Sequence, residues 1–146
     1  MMSTLIDYAG RLHPLVIHFP IALLLVGAAG EIVRLRRDSE FLARFIAWVV
    51  LLGAGATLFA ASTGWFFAYQ IHRPPELRPF LAWHRWLGLL AVVVALLAAR
   101  AAHLWTDTPL KRKRWLRRIL IWSSAGLVAT TAHLGALLVW GTDFFS

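Results

Sequence analysis

The sequence of 146 residues contains no cysteine and few acidic residues. The lack of cysteine excludes disulfides, thiolate metal sites, iron–sulfur clusters and a haem attached through a C-x-x-C-H motif. Asp and Glu together number only seven, so a metal site rich in carboxylates is poorly supplied. Six histidines are therefore the only strong ligands that the chain offers to a transition metal or to haem iron.

Charged residues of both signs are also scarce, at 15%, whereas hydrophobic residues make up 60% of the chain. Soluble domains are roughly 45–50% apolar and about 25% charged. The mean hydropathy is +0.67. These values predict an integral membrane protein. A chain of this length has room for one compact domain and none for a separate soluble catalytic module.

Four apolar stretches are each long enough to cross a hydrocarbon core of about 30 Å as a helix. Pro14 suits the first helical position, which makes His13 the predicted N-cap, and Ser39 is predicted to cap the second helix. The sequence predicts an all-α fold, a single domain over residues 1–146 that forms an up-down-up-down four-helix bundle. The predicted helices are 14–34, 40–70, 80–103 and 113–141.

The net charge of +8 is unevenly distributed along the chain. Eleven of the fifteen Lys and Arg residues fall in or beside two segments, 34–44 and 100–118. Basic residues concentrated in alternate loops are the positive-inside signature. We therefore expect a multi-pass protein of the bacterial inner (cytoplasmic) membrane, with residues 34–44 and 105–118 in the cytoplasm and the 73–79 loop and both termini in the periplasm. The basic residues would then contact anionic lipid rather than nucleic acid.

Five of the six histidines fall on the predicted periplasmic side: His13, His18, His72, His84 and His133. At 1.5 Å per residue, His18 and His84 each lie about 6 Å into their helices and His133 about 12 Å. A shared depth on different helices, inside a membrane where ionisable residues are costly, indicates a binding site. The sequence predicts that these histidines bind haem or a metal ion.

A single haem is expected to use two of His18, His84 and His133, with His18 as the first choice; the same three are the candidate ligands of a bare metal ion. His13 and His18 are five residues apart, about 140° around a helix, so one haem cannot easily take both. His13 would supply the fourth ligand of a second haem. Alternatively, His13 caps the helix or reaches a propionate.

Bis-histidine haem b requires only two imidazoles, apolar and aromatic walls, and cations near the rim for the propionates. Arg73, Arg78 and Arg85 are the candidate cations. The second helix has no interior histidine, but it carries small residues at helical spacing that can press against a porphyrin. The same pattern also lets membrane helices approach each other closely without any ligand. The small residues are Gly53, Ala56, Ala60 and Gly64.

Three segments carry a resemblance to a known family: HPLVIHFPIALLL from residue 13, WHRWLG from residue 83 and AHLGALLVWG from residue 132. There the chain resembles the bacterial family of four-helix membrane proteins catalogued as domain of unknown function 2231. The resemblance covers nearly the whole chain. It implies the four-helix fold and the placing of the histidines at His13, His18, His84 and His133. The family pattern in the fourth helix is close to H-x-G-G-x-L-V-Y-G, so Ala136 and Trp140 depart from it.

Bis-histidine iron has no open coordination position, which favours electron transfer over the chemistry of a stand-alone enzyme. We expect a cytochrome b membrane subunit that relays electrons near the periplasmic face. Quinol and other redox subunits of a membrane complex are the expected partners, together with membrane lipid. One alternative is a non-enzymatic assembly subunit whose histidines are hydrogen-bonded across helices. The other is a histidine site for a copper or zinc ion.

Overall fold

The computed structural model describes residues 8, 10–37, 39–70 and 74–141. This part of the chain is almost entirely helical and contains no strand, which confirms the predicted all-α class. The α-helices are α1 (His13–Val16), α2 (His18–Arg36), α3 (Glu40–Gln70), α4 (Arg78–Leu104) and α5 (Lys111–Trp140), and a short 3-10 helix, Pro75–Leu77, precedes α4.

Four segments are long and apolar enough to cross a membrane: His13–Arg36, Glu40–Ala68, Pro75–Leu104 and Lys111–Trp140. The first segment consists of α1 and α2 and corresponds to the first predicted helix. Its helical bounds and those of α3, α4 and α5 lie within two residues of the predicted ones. The prediction of four helices long and apolar enough to span a membrane is therefore confirmed.

The start of the first span differs from the sequence-based prediction. Leu12, not His13, is the N-cap of α1, and His13 is the first helical residue. The backbone N–H of Leu12 donates to the carbonyl of Tyr8 at 3.3 Å, so a helical turn already precedes Pro14 and no side-chain cap is needed there. The His13 ring is thereby free to reach α3. The predicted cap at Ser39 is confirmed, because its hydroxyl accepts a hydrogen bond from the Leu42 N–H at 3.4 Å.

The four spans pack in a ring, each against the next along the chain and α2 against α5. Two glycines on the facing surfaces of α2 and α3 bring these helices close together. A Cβ atom at Gly27 would lie 2.7 Å from Val50, and one at Gly53 would lie 2.8 Å from Leu24. Lipid provides no hydrophobic driving force between membrane helices, so their association depends partly on the close packing that small residues of this kind allow. On α4 the corresponding residues are alanines, including Ala91, Ala95, Ala98 and Ala102.

One end of the bundle, called here the histidine end, is defined by His13 and His84. The imidazole of His13, at the start of the first span, bonds to Ala60 in the second half of α3. Near the start of α4, the imidazole of His84 bonds to Thr131 in the second half of α5. These contacts join all four spans at the same end of the bundle.

The opposite end, called here the arginine end, is built around the fully buried carboxylate of Glu31 on α2. Arg117 and Arg118 of α5 contact this carboxylate at 3.1 and 3.2 Å, and Arg34 lies 3.9 Å away. Arg117 also donates to the carbonyl of Trp105 at 2.9 Å. The cluster therefore joins α2, α5 and the segment that follows α4. The positive-inside pattern assigned these arginines only to cytoplasmic loops and did not predict that two of them, Arg34 and Arg117, are buried.

Candidate functional site

His13 points into the bundle at the histidine end. Its Nδ1 lies 3.0 Å from the carbonyl oxygen of Ala60 and 3.3 Å from the hydroxyl of Thr63. A carbonyl oxygen can only accept, so Nδ1 carries the hydrogen and donates it. In the neutral imidazole this tautomer leaves the lone pair on Nε2. The local structure therefore prepares Nε2 of His13 to bind a metal or accept a hydrogen bond.

Gly64 on α3 makes room for the His13 ring. A Cβ atom added at Gly64 would lie 2.6 Å from Cε1 of His13 and 3.0 Å from its Nδ1. Real Cβ atoms do not approach other atoms this closely, so any side chain at this position would displace the imidazole. The sequence predicted that the small residues of this helix would either face a cofactor or pack against a helix. At Gly64 the group that fills the space is a histidine.

His84 has the same arrangement on the other side of the bundle. Its Nδ1 lies 2.9 Å from the carbonyl oxygen of Thr131 on α5, so this ring is also the tautomer with its lone pair on Nε2. A Cβ atom at Gly135 would lie 3.1 Å from Cε1 of His84. Each of the two histidines thus has a carbonyl that orients its ring and a glycine that admits it.

The two rings are close neighbours. Their centroids are 6.4 Å apart and their planes are inclined by 82°. Two nitrogen–metal bonds of about 2 Å each, with half of each ring added, span roughly 6 Å. The separation of the ring centroids is therefore of the size that two imidazoles holding one metal ion would have.

Both histidines line a cavity of about 180 Å³ between the four spans. Its walls are mostly apolar and include small residues such as Gly88 and Ala132. Exposed side chains, among them Trp65 and Val139, also line it, so the cavity opens to the outside of the bundle. The His13 ring is also 6.0 Å from the ring of Phe67, which adds an aromatic wall.

One of the three arginines predicted to hold propionates lies at this cavity. Arg85 is part of its lining, and its guanidinium is 5.1 Å from the centroid of the Trp65 ring. Arg78 is exposed and does not line the cavity. Arg73 lies outside the described residues, as does His72.

The other two predicted ligands do not reach the cavity. The side chains of His18 and His133 are exposed on the outside of the bundle. The described residues bring together no group of three or more His, Asp or Glu donors, so the three-histidine set of His18, His84 and His133 is not assembled there. Depth along the helix axis does not by itself bring side chains together, because the direction around the axis decides which of them meet. His13, five residues before His18, points inward, and the turn of about 140° between them leaves His18 outside.

Sequence comparison identifies the family. A profile of the predicted membrane protein family catalogued as domain of unknown function 2231 matches residues 10–144. The chain belongs to this family. No curated protein and no solved structure matches the chain.

Several residues of the site were missed by the sequence analysis, and one of them had a signal in the family pattern. The domain of unknown function 2231 pattern places glycine two residues after His133, which is Gly135, the residue that admits His84. Thr63 and Thr131 had no such signal. Thr131 takes part through its backbone carbonyl, which every residue has, and Thr63 through a hydroxyl common in membrane helices.

Proposed function

We propose that this protein is a membrane electron-transfer subunit that holds one haem b, with the iron bound by Nε2 of His13 and Nε2 of His84. The observation that carries the proposal is the pair of imidazoles at a centroid separation of 6.4 Å, each with Nδ1 hydrogen-bonded to a backbone carbonyl. Histidines that bind metals almost always donate their other ring N–H to such a partner, which fixes the tautomer and raises the basicity of the ligand.

The residues around the two histidines are of the types that surround haem. The volume of the cavity limits how much of a haem it could enclose. Apolar walls and an arginine are the surroundings that haem b requires. The enclosed volume of about 180 Å³ is smaller than the roughly 300–1,000 Å³ of typical ligand pockets, so only part of the macrocycle would be enclosed. A bound haem would supply one-electron chemistry between ferric and ferrous iron, and His13 and His84 would hold its iron.

The protein's own residues have separate roles in this proposal. The carbonyls of Ala60 and Thr131 orient the imidazoles. Arg85, part of the cavity wall, is the cation that would lie near a propionate. The apolar lining lowers the local dielectric and so influences the reduction potential.

The location and partners follow from the charge distribution and the position of the pair. We place the protein in the bacterial inner membrane with the histidine end at the periplasmic face, because the basic segments 34–44 and 100–118 lie at the other end. Both termini are then periplasmic. Electrons would pass between quinol, or a redox subunit of the same complex, and an acceptor on the periplasmic side.

A second function is favoured by a specific feature of the same hydrogen bonds. Each of them joins two spans, the first to α3 through Ala60 and α4 to α5 through Thr131. Polar side chains that bond across helices stabilise membrane bundles by about 0.6–2 kcal/mol each. The two histidines would then hold the fold of a non-enzymatic assembly subunit.

A reduced-minus-oxidised visible spectrum tests the proposal. The untagged chain, expressed with an ample haem supply and purified in detergent, should contain about one haem b per chain with the spectrum of a six-coordinate bis-histidine iron. His13→Ala and His84→Ala should each lose haem. His103→Ala is the matched control, because His103 is exposed and packs against Trp48 near the arginine end, with ring centroids 5.5 Å apart.

A wild-type chain without haem under these conditions contradicts the haem proposal. If His13→Ala and His84→Ala then lower the unfolding temperature while His103→Ala does not, the assembly-subunit function is favoured. Metal analysis of the same preparations distinguishes the haem and assembly-subunit functions from a site in which the two histidines bind a copper or zinc ion.

A further inference from the structure

A second cavity, called here the arginine-end cavity, opens where the membrane spans end. Its volume is about 390 Å³, within the roughly 300–1,000 Å³ of typical ligand pockets. The wall consists of Arg34 near the end of α2, Glu40 at the start of α3, residues 106–109 between α4 and α5, and Arg114 of α5. Each of these positions lies within three residues of the end of a span. The cavity is therefore at the level that lipid headgroups occupy in a membrane.

Charged groups of both signs line this cavity. Among the described residues, its wall contains the guanidiniums of Arg34 and Arg114 and the carboxylates of Glu40 and Asp107. The side chain of Arg34 is only 6% exposed and donates to the carbonyl of Thr106 at 3.4 Å, which fixes one cation in the wall. A ligand with charge of one sign alone would meet two like charges here, and such an arrangement is unfavourable. The composition of the wall therefore favours a ligand that carries both a positive and a negative group.

Two of the four charged side chains are available to such a ligand. Within the described part of the chain, the side chains of Asp107 and Arg114 make no hydrogen bond or ion pair, although both line the same cavity. Arg114 is half-buried, so its charge is only partly solvated. A guanidinium can donate two parallel hydrogen bonds to a phosphate, and a carboxylate can accept hydrogen bonds from an ammonium group.

Exposed aromatic residues beside the cavity indicate that the ligand is a lipid. Phe41 follows Glu40 in the chain and is 80% exposed. Its ring stacks with that of Phe45, one turn further along α3, at a centroid distance of 6.5 Å, and Trp48 is exposed in the next turn. At this spacing the three side chains share one face of the helix. This aromatic stripe runs from the cavity into the apolar span, where the acyl chains of a lipid would lie.

We propose that the arginine-end cavity binds the headgroup of a phospholipid that carries a phosphate and a primary ammonium, as phosphatidylethanolamine does. Arg34 and Arg114 bind the phosphate, and Glu40 and Asp107 accept hydrogen bonds from the ammonium group. A primary ammonium offers three N–H donors, and each N-methyl group removes one of them. This site lies at the opposite end of the bundle from the two cavity histidines and is independent of the proposed electron transfer.

Binding of defined lipids to the delipidated full-length chain in detergent tests the inference, with native mass spectrometry as the readout. We expect about one phosphatidylethanolamine per chain, with an affinity that falls as the nitrogen is methylated and is about tenfold lower for phosphatidylcholine. Phosphatidylglycerol, which has the phosphate but no ammonium, should also bind more weakly. Soluble glycerophosphoethanolamine has the same headgroup without acyl chains and should bind much more weakly than the lipid.

Substitutions of the two available side chains separate the roles in the wall. Asp107→Asn should remove the preference for phosphatidylethanolamine over phosphatidylcholine. Arg114→Gln should weaken the binding of all these phospholipids about tenfold. Lys113→Gln is the matched control for Arg114→Gln, because Lys113 is an exposed neighbour outside the cavity wall. Glu76→Gln, at the histidine end, is the control for Asp107→Asn.

All four variants should keep the haem content and the unfolding temperature of the wild-type chain, so the result does not depend on the haem proposal. The inference is overturned if the wild-type chain binds the three phospholipids equally or prefers phosphatidylglycerol. It is also overturned if Asp107→Asn keeps the preference for the primary ammonium. Equal affinity for glycerophosphoethanolamine and for the lipid would contradict a lipid as the ligand.

Discussion

At the scale of single residues, two glycines determine where the histidines of the cavity can lie. Gly64 faces His13 and Gly135 faces His84, each on a neighbouring helix. Neither glycine is needed for its backbone conformation, since both lie inside regular helices. Their small size leaves the space that each imidazole ring occupies.

Gly64→Ala should displace the His13 ring, because its Cβ would lie 2.6 Å from Cε1. Overpacking of this kind costs about 1–3 kcal/mol, which exceeds the gain of up to about 1 kcal/mol from higher helix propensity. We expect lower haem content and a lower unfolding temperature in detergent, with normal membrane insertion. Gly55→Ala on the same helix is the control, because its Cβ meets nothing within 4 Å. Equal behaviour of the two variants would contradict the role of Gly64.

Gly135→Ala should have a smaller effect in the same direction. Its Cβ would lie 3.1 Å from Cε1 of His84, a contact that a shift of a few tenths of an ångström relieves. We expect partial haem loss, intermediate between wild type and Gly64→Ala, measured as haem per chain. Gly126→Ala, also on α5 and without a close neighbour, should retain full haem content. A larger haem loss in Gly135→Ala than in Gly64→Ala would contradict the order expected from the two Cβ distances.

At the scale of helices, the ion cluster of the arginine end ties α2 to α5. Three guanidiniums contact the carboxylate of Glu31, those of Arg34, Arg117 and Arg118. The side chains of Glu31 and Arg117 are 1% and 2% exposed, so water cannot replace a lost partner. Removal of one member of a buried ion pair is costly because the other charge stays buried without compensation.

Glu31→Gln should therefore destabilise the bundle by about 3–5 kcal/mol, seen as a lower thermal unfolding midpoint in detergent. Glu40→Gln is the control of identical chemistry. Glu40 pairs with Arg44 on the surface, where the two side chains are 64% and 69% exposed, and exposed pairs contribute only about 0–1 kcal/mol. A Glu31→Gln variant as stable as Glu40→Gln would show that the cluster does not hold the helices together.

At the scale of the whole molecule, the charge distribution predicts the orientation in the membrane. The chain has no cysteine, so single cysteines can be introduced without any background. Glu76 precedes α4 near the histidine end and Asp107 follows it near the arginine end, and both are exposed. Glu76→Cys in intact cells should react with a membrane-impermeant thiol reagent, whereas Asp107→Cys should react only after permeabilisation. The opposite labelling pattern would contradict the orientation predicted by the positive-inside rule.

The sequence by itself determined the class of the protein and the bounds of its spans. Apolar runs between Pro-rich and basic segments predicted four helices, and their observed ends lie within two residues. This succeeds because burial of apolar residues in lipid and the capping of helix ends are local properties of the chain. The candidate set of histidines was also present in the sequence, since the other strong metal ligands are absent or scarce.

Only the tertiary structure decided which histidines meet. His13 and His18 are near each other in the sequence and nearly opposite around the helix. The packing of the four spans turned His13 toward the cavity and left His18 on the outside of the bundle. Gly64 and Gly135, on neighbouring helices, leave the space that the rings of His13 and His84 occupy. Arg117 was buried in the same way, because a partner 86 residues away, Glu31, provides its counter-charge. Such contacts depend on how helices rotate about their axes, which is set by packing between distant segments and not by any local pattern.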